Sequence, residues 1–132
     1  MITPVKIQIR FSDLDVLGHV NNSVYLSYFE MARVHYFKEL VGENWDWRTL
    51  GFVIAKNEVE YIKSVLIEHE PLIYVYTEHI GTKSFALEYE LKVNNEIFAK
   101  GRSVQVCFDA IAHETIAIPD KMRVALTTIV RV

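Results

Sequence analysis

A chain of 132 residues, 51% hydrophobic and 23% charged, has the size of one domain, residues 1–132, and can bury a real core. Its 14 Lys and Arg are scattered among 17 Asp and Glu, a formal net charge of -3, so there is no broad positive field and nucleic acid is not expected as a partner. No membrane-length apolar stretch occurs and Met1 to Arg10 lacks the apolar run of a signal peptide, so the expectation is a cytoplasmic protein with no membrane partner.

Residues 4 to 11 alternate and predict a first strand, followed by a loop of turn-type composition from Ser12 to Gly18. From Asn22 to about Leu40, Tyr25, Phe29, Ala32, Tyr36 and Leu40 recur at helical spacing, with Tyr28 and Phe37 widening the stripe. Asn21 or Asn22 caps this helix and Gly42 stops it. Residues 52 to 63, 72 to 80, 84 to 93 and 97 to 107 then read as an antiparallel meander. In its third strand Phe85, Leu87, Tyr89, Leu91 and Val93 share one face, the mark of a sheet buried on one side. Asn94 and Asn95 supply a hairpin turn through positive φ, and Gly81 is expected to do the same one connection earlier. Residues 115 to 118 suggest a last strand, and Met122, Ala125, Leu126 and Ile129 after Pro119 and Asp120 a short helix. One long helix with a run of antiparallel strands is an α+β plan in which a sheet curls around the helix.

The chemistry concentrates in Asp13 to Asn22, just before the long helix. Asp15 precedes the helix start by about seven residues, so a tight loop at Gly18 folds its carboxylate back towards the first-turn amides. That geometry suits attack on a carbonyl carbon whose oxygen is held by the Asn22 N–H. Asp13 reads as a turn-capping group. His19 either orients substrate and shuttles a proton or bonds a backbone carbonyl and stiffens the loop. Glu30 and Arg33, three apart on the helix, read as a structural ion pair. His35, His69, His79 and His113 lack metal-ligand spacing, so no metal is expected. The single cysteine, Cys107, permits no intrachain disulfide and reads as a buried strand thiol. Gly81, Thr82, Lys83 and Ser84 form a polar, basic turn able to touch a phosphate or amide, or to stand as a plain solvated hairpin. No Gly-x-Ser-x-Gly elbow, P-loop or dinucleotide fingerprint is present.

The run Ile9-Arg10-Phe11-Ser12-Asp13-Leu14-Asp15-Val16-Leu17-Gly18-His19-Val20-Asn21-Asn22, with Tyr25, Phe29, Glu30, Ala32 and Arg33 behind it, resembles the hotdog-fold thioesterases of the 4-hydroxybenzoyl-CoA thioesterase family. Ile80-Gly81-Thr82-Lys83-Ser84-Phe85 is similar to that family's strand connection, and the likeness spans nearly the whole chain. The resemblance implies the hotdog fold and hydrolysis of an acyl-CoA to free acid and CoA, with no cofactor. It implies that Asp15 is the catalytic carboxylate, as nucleophile or general base, and that the Asn22 backbone N–H polarises the thioester carbonyl. It also implies a homodimer or homotetramer in which Gly81 to Ser84 contact an acyl-CoA arm held mainly by the other subunit. His19-Val20-Asn21-Asn22 is more similar to acyl-ACP thioesterases, which leaves the carrier open and favours fatty acyl groups over 4-hydroxybenzoyl. A non-catalytic acyl-CoA-binding hotdog module is the alternative. A hotdog hydratase would want an Asp-x-Asn-Pro-x-His loop, and Val16 and Leu17 stand where its Asn and Pro would be.

Overall fold

In the computed structural model, which describes residues 2–131, the elements run β1 (Val5–Lys6), α1 (Val24–Val41), β2 (Gly51–Tyr61), β3 (Leu72–Ile80), β4 (Ser84–Val93), β5 (Glu96–Asp109), β6 (Glu114–Thr115) and α2 (Asp120–Thr127). The strands form one antiparallel sheet in the order β1-β3-β4-β5-β2, with β6 attached to β5. Register shifts at Ile54/Lys56 in β2 and at Thr77/His79 in β3 mark bulges. Bulges bend and twist a strand. Phe85, Leu87, Tyr89, Leu91 and Val93 are all buried beneath α1, as their alternation requires. The result is a sheet curled around one helix, the hotdog plan.

The helix keeps its place through a gap in the sheet. The Phe29 ring stacks on Tyr89 at 4.8 Å, and a Cβ at Gly101 on β5 would meet that ring at 2.5 Å. Phe29 is 2% exposed, so its ring has nowhere to retreat. Gly101→Ala is therefore expected to destabilise the fold by about 1–3 kcal/mol through overpacking, read as a lower midpoint in urea unfolding. An unchanged midpoint would show that the ring yields freely.

Local signals are modified by tertiary contacts in four places. Residues 4 to 11 do not form one strand: only Val5 and Lys6 pair with β3, and after Ile7 N–H bonds Pro71 O the chain turns through Arg10–Asp13. The alternation is real, because Ile7 and Ile9 are buried, but it belongs to extended chain lying on the core. Asn94 and Asn95 take positive φ, whereas Gly81 does not. Gly81 instead makes room, since a Cβ there would stand 3.0 Å from Ser84 O. The last strand is Glu114–Thr115 against Phe108 and Asp109, because from Ile116 onward the chain bonds Cys107 and Thr82 as it leads into α2. Helix α2 ends at Thr127, so Ile129 lies beyond it, where its carbonyl accepts the Thr77 N–H. Gly42 at φ 83 ends α1 as expected. No helix among the described residues is long and apolar enough to cross a membrane.

Candidate active site

Gly18, at φ 79, closes a hairpin in which Leu14 and Val20 bridge, Asp15 N–H bonds His19 O at 2.8 Å and Gly18 N–H bonds Asp15 O at 3.0 Å. The turn folds the Asp15 side chain back over itself. Its Oδ1 accepts the N–H groups of Leu17 at 2.9 Å and His19 at 3.2 Å, while its Oδ2 has no hydrogen-bond partner among the described residues. One carboxylate oxygen is thus held and the other is free. Val20 N–H reaches Val65 O at 2.8 Å and His19 bridges Leu66, so the hairpin is stitched to the segment after β2.

Asp13 holds the base of the loop. Tyr28 Oη on α1 donates to its Oδ2 at 2.6 Å, and Arg10 donates from its backbone N–H and from Nη2, both at 3.1 Å. Its main-chain oxygen accepts the Asn21 N–H at 2.8 Å. Burial works to raise the Asp13 pKa, but the hydrogen bonds from Tyr28 and Arg10 and the Arg10 charge outweigh it and hold the carboxyl below its ordinary value. Burial, and after it the bond to Asp13, push the Tyr28 phenol up. The turn-capping reading of Asp13 is thus extended to a buried tie between loop and helix.

That tie is titratable, with a definite sign. Because the folded pKa of Asp13 lies below the ordinary 3.8, the unfolded chain takes up the proton first, so the stabilisation is complete above the ordinary value and is lost as pH falls through the folded one. Tyr28→Phe removes the strongest donor and is expected to cost about 1–2 kcal/mol at neutral pH. The deficit should shrink on going from about pH 6 to about pH 3. Parallel urea denaturations of both proteins across that range would show it; a deficit constant with pH would detach Tyr28 from the Asp13 charge.

The helix start completes the site. The N-cap of α1 is Ser23, with no side-chain cap bond, rather than the expected Asn21 or Asn22; Asn21 instead braces the turn ahead of it, its Oδ1 accepting the Ser23 N–H at 3.0 Å and its carbonyl the Val24 N–H at 2.9 Å. Asn22 N–H donates to no group among the described residues, and the Asn22 carbonyl accepts the Tyr61 hydroxyl at 2.9 Å. Asp15, His19, Asn22, Tyr25, Tyr61 and Ser64 all line one cavity of about 130 Å³. That volume has room for a carbonyl group and a water, not for an acyl chain. The His19 ring makes no hydrogen bond among the described residues; the main chain, not the imidazole, stiffens the loop. Tyr61 stands edge-on to Tyr25 at 4.9 Å. Its part is invisible in sequence, because it depends on the far end of β2 returning to the helix start.

The remaining expected site residues lie elsewhere in the chain. None of Gly81, Thr82, Lys83 and Ser84 lines the Asp15 cavity. Their turn is tied to the C-terminal segment: Arg123 donates to Gly81 O at 2.9 Å, Ile118 N–H to Thr82 O at 2.9 Å and Lys83 Nζ to Thr115 Oγ1 at 3.4 Å. Glu30 and Arg33 do approach, at 4.0 Å, but Arg33 is mainly engaged with Tyr89. Burial pushes the Cys107 thiol up to about 11, which leaves it inert at neutral pH. No three of His, Cys, Asp and Glu gather as a metal-holding group among the described residues.

A curled antiparallel sheet around one long helix is the hotdog fold, and in it Asp15, with one free carboxylate oxygen, lines the same cavity as Asn22 ahead of the helix. The chain belongs to the thioesterase-like superfamily, whose model matches residues 9–126. An uncharacterized protein, YsmA of Bacillus subtilis, is 38% identical over 86 residues, 64% of this chain and 56% of that protein, so the match spans little more than half of that relative. A solved thioesterase from Thermus thermophilus, complexed with coenzyme A and Zn, superposes with a TM-score of 0.84 at 34% identity, covering 96% of this chain and 92% of that one. The long-chain acyl-CoA thioesterase FadM of Escherichia coli is 24% identical over 131 residues, 96% of this chain and 98% of that protein. The match is to the superfamily as a whole and does not single out the 4-hydroxybenzoyl-CoA thioesterase family named from the sequence.

Proposed function

We propose that this protein hydrolyses fatty acyl-CoA thioesters to free acid and CoA, with Asp15 as the attacking or base carboxylate and the Asn22 N–H as the carbonyl-polarising donor. The observation that carries the reading is the pairing of a free Asp15 Oδ2 with an unpaired Asn22 N–H on one small cavity. In the water route, Oδ2 takes a proton as the water oxygen bonds the carbonyl carbon. The carbonyl oxygen gains charge against the Asn22 N–H at the positive end of α1. The C–S bond then breaks, and the proton held on Asp15 passes to the departing CoA thiolate. In the nucleophilic route Oδ2 bonds the carbon directly, the C–S bond breaks with departure of the CoA thiolate, and water then cleaves the resulting anhydride to the free acid and the Asp15 carboxylate, its spare proton going to the thiolate. His19, unbonded on the cavity wall, is placed to orient the thioester. The Thermus relative's coenzyme A and the acyl-CoA in the name of the Escherichia coli relative support the carrier.

The acyl group and the CoA arm need more surface than one chain provides at Asp15. We place the missing surface on a second copy, as a homodimer or a tetramer built from dimers. Strand β2 is an edge of the sheet over its 11 residues, Val34 on α1 shares a cavity with its Phe52 and Ile54, and Met31 and Val34 stand 48% and 63% exposed. A long open edge is a template for pairing with another chain. In such a dimer the Gly81–Ser84 turn of one copy serves the arm bound at the other.

A panel of acyl-CoA and acyl-ACP thioesters, followed by free-thiol release, tests the reading. Hydrolysis of long-chain acyl-CoA ahead of the ACP forms is expected. Faster release from the ACP forms would move the carrier, and tight acyl-CoA binding with no thiol released would leave a binding module in place of an enzyme.

A further inference from the structure

A second cavity, of about 700 Å³, lies further along α1 and is lined by Arg33, Val34, Phe37, Trp47, Phe52 and Ile54, with Glu30 and the mutually paired Lys38 and Glu43 at its rim. Its walls are mostly aromatic and aliphatic, yet Arg33 is only 8% exposed. A guanidinium so buried is costly unless its charge and donors are answered. The hydrogen bonds beneath it answer one nitrogen. Arg33 Nη1 donates to Tyr89 Oη at 3.0 Å, Tyr89 donates to Ser103 Oγ at 2.6 Å, Ser103 donates to the Gln105 amide oxygen, and the Gln105 amide nitrogen donates to the Ser103 and Phe85 carbonyls at 3.2 Å. Every hydroxyl in that chain has its donor and acceptor, and no member of it is an anion. The sole carboxylate within 4.0 Å of the Arg33 guanidinium among the described residues is Glu30, at 4.0 Å from Nη2 and with its side chain 70% exposed.

We infer that this cavity binds an aliphatic chain ending in a carboxylate, with the carboxylate on the outer donors of Arg33 and the chain against Phe37, Trp47 and Phe52. The planar fork of a guanidinium matches two carboxylate oxygens, and the apolar walls match the chain. The neutral hydrogen-bond chain holds the guanidinium in position without spending its charge. The ligand is a free aliphatic acid or the far, acidic end of an acyl group. The cavity at Asp15 has none of these residues in its lining, while Val34 on α1 and Phe52 and Ile54 on β2 belong to the face on which a second copy was placed, so a ligand here lies at the margin of the proposed dimer contact.

Calorimetric titration with decanoate and with decanol tests it in the unaltered protein. Decanoate should bind at least about tenfold more tightly than decanol, the effect of one charge-assisted contact. Arg33→Met should bring the two ligands level. Equal binding of the two ligands by the unaltered protein, or no binding of decanoate, overturns the inference whether or not Arg33→Met folds. A second arm compares hydrolysis of decanoyl-CoA with that of its terminal-carboxylate analogue. An Arg33-dependent preference for the analogue assigns the site to the acyl group, whereas decanoate binding without that preference assigns it to the free acid. Decanoate binding in a protein that hydrolyses no thioester would remove the proposed activity and leave this site standing.

Discussion

The Asp15→Asn protein is expected to fold as the parent does and to lose about 10²–10⁴ of its thioester turnover. The substitution is unusually clean for geometric reasons. The amide oxygen of Asn can accept the Leu17 and His19 N–H groups that now bond Asp15 Oδ1, so the hairpin survives. What changes is Oδ2, which becomes an NH2 group that neither attacks a carbonyl nor takes a proton from water. Thermal melts of both proteins alongside thiol-release rates separate the two effects. Turnover within about threefold of the parent would remove Asp15 from the chemistry.

At Asn22 the main chain and the side chain are expected to behave differently. Asn22→Ala should retain most activity, because the side chain is exposed and the N-cap position of the helix is Ser23. Asn22→Pro removes the N–H itself and should lower kcat by about 10²–10³, the range seen when an oxyanion donor is deleted. Asn22 lies two residues ahead of α1, so a proline there removes no intrahelical bond, and the Tyr61 bond to the Asn22 carbonyl needs no N–H. A melting temperature near that of the parent would show that the helix start is intact. If the Pro and Ala proteins turned over equally fast, the carbonyl would have to be polarised by another group.

How much of this was legible in advance depends on the range of the physics. The period of Tyr25, Phe29, Ala32 and Tyr36 and the alternation from Phe85 to Val93 are local properties, and all nine side chains are buried as their spacing requires. Gly18 and Gly42 likewise announce a backbone that only positive φ satisfies. Gly81 carries the same letter for a different reason, crowding by Ser84, which no local pattern distinguishes. The loop that gathers Asp15, His19 and Asn22 is contiguous in sequence, so its concentration of polar groups could be read. Tyr61, the last residue of β2, and Ser64, in the segment after it, line the same cavity and leave no trace in that stretch. Arg33 shows the limit most clearly. The three-residue spacing to Glu30 suggests a structural ion pair, and only the fold reveals Tyr89, Ser103 and Gln105 beneath the guanidinium.

The gap at Gly101 bears on more than packing. A helix lying on a smooth sheet could slide by one turn, about 5.4 Å, and bury a similar set of apolar groups. Phe29 seated over Gly101 and against Tyr89 acts as a detent that denies this alternative. The axial position of Asn22, two residues ahead of α1, is therefore set in the middle of β5 and not by the loop alone. A Gly101→Ala protein that still folds should present a displaced helix start to Asp15, and its turnover should fall further than its loss of stability accounts for.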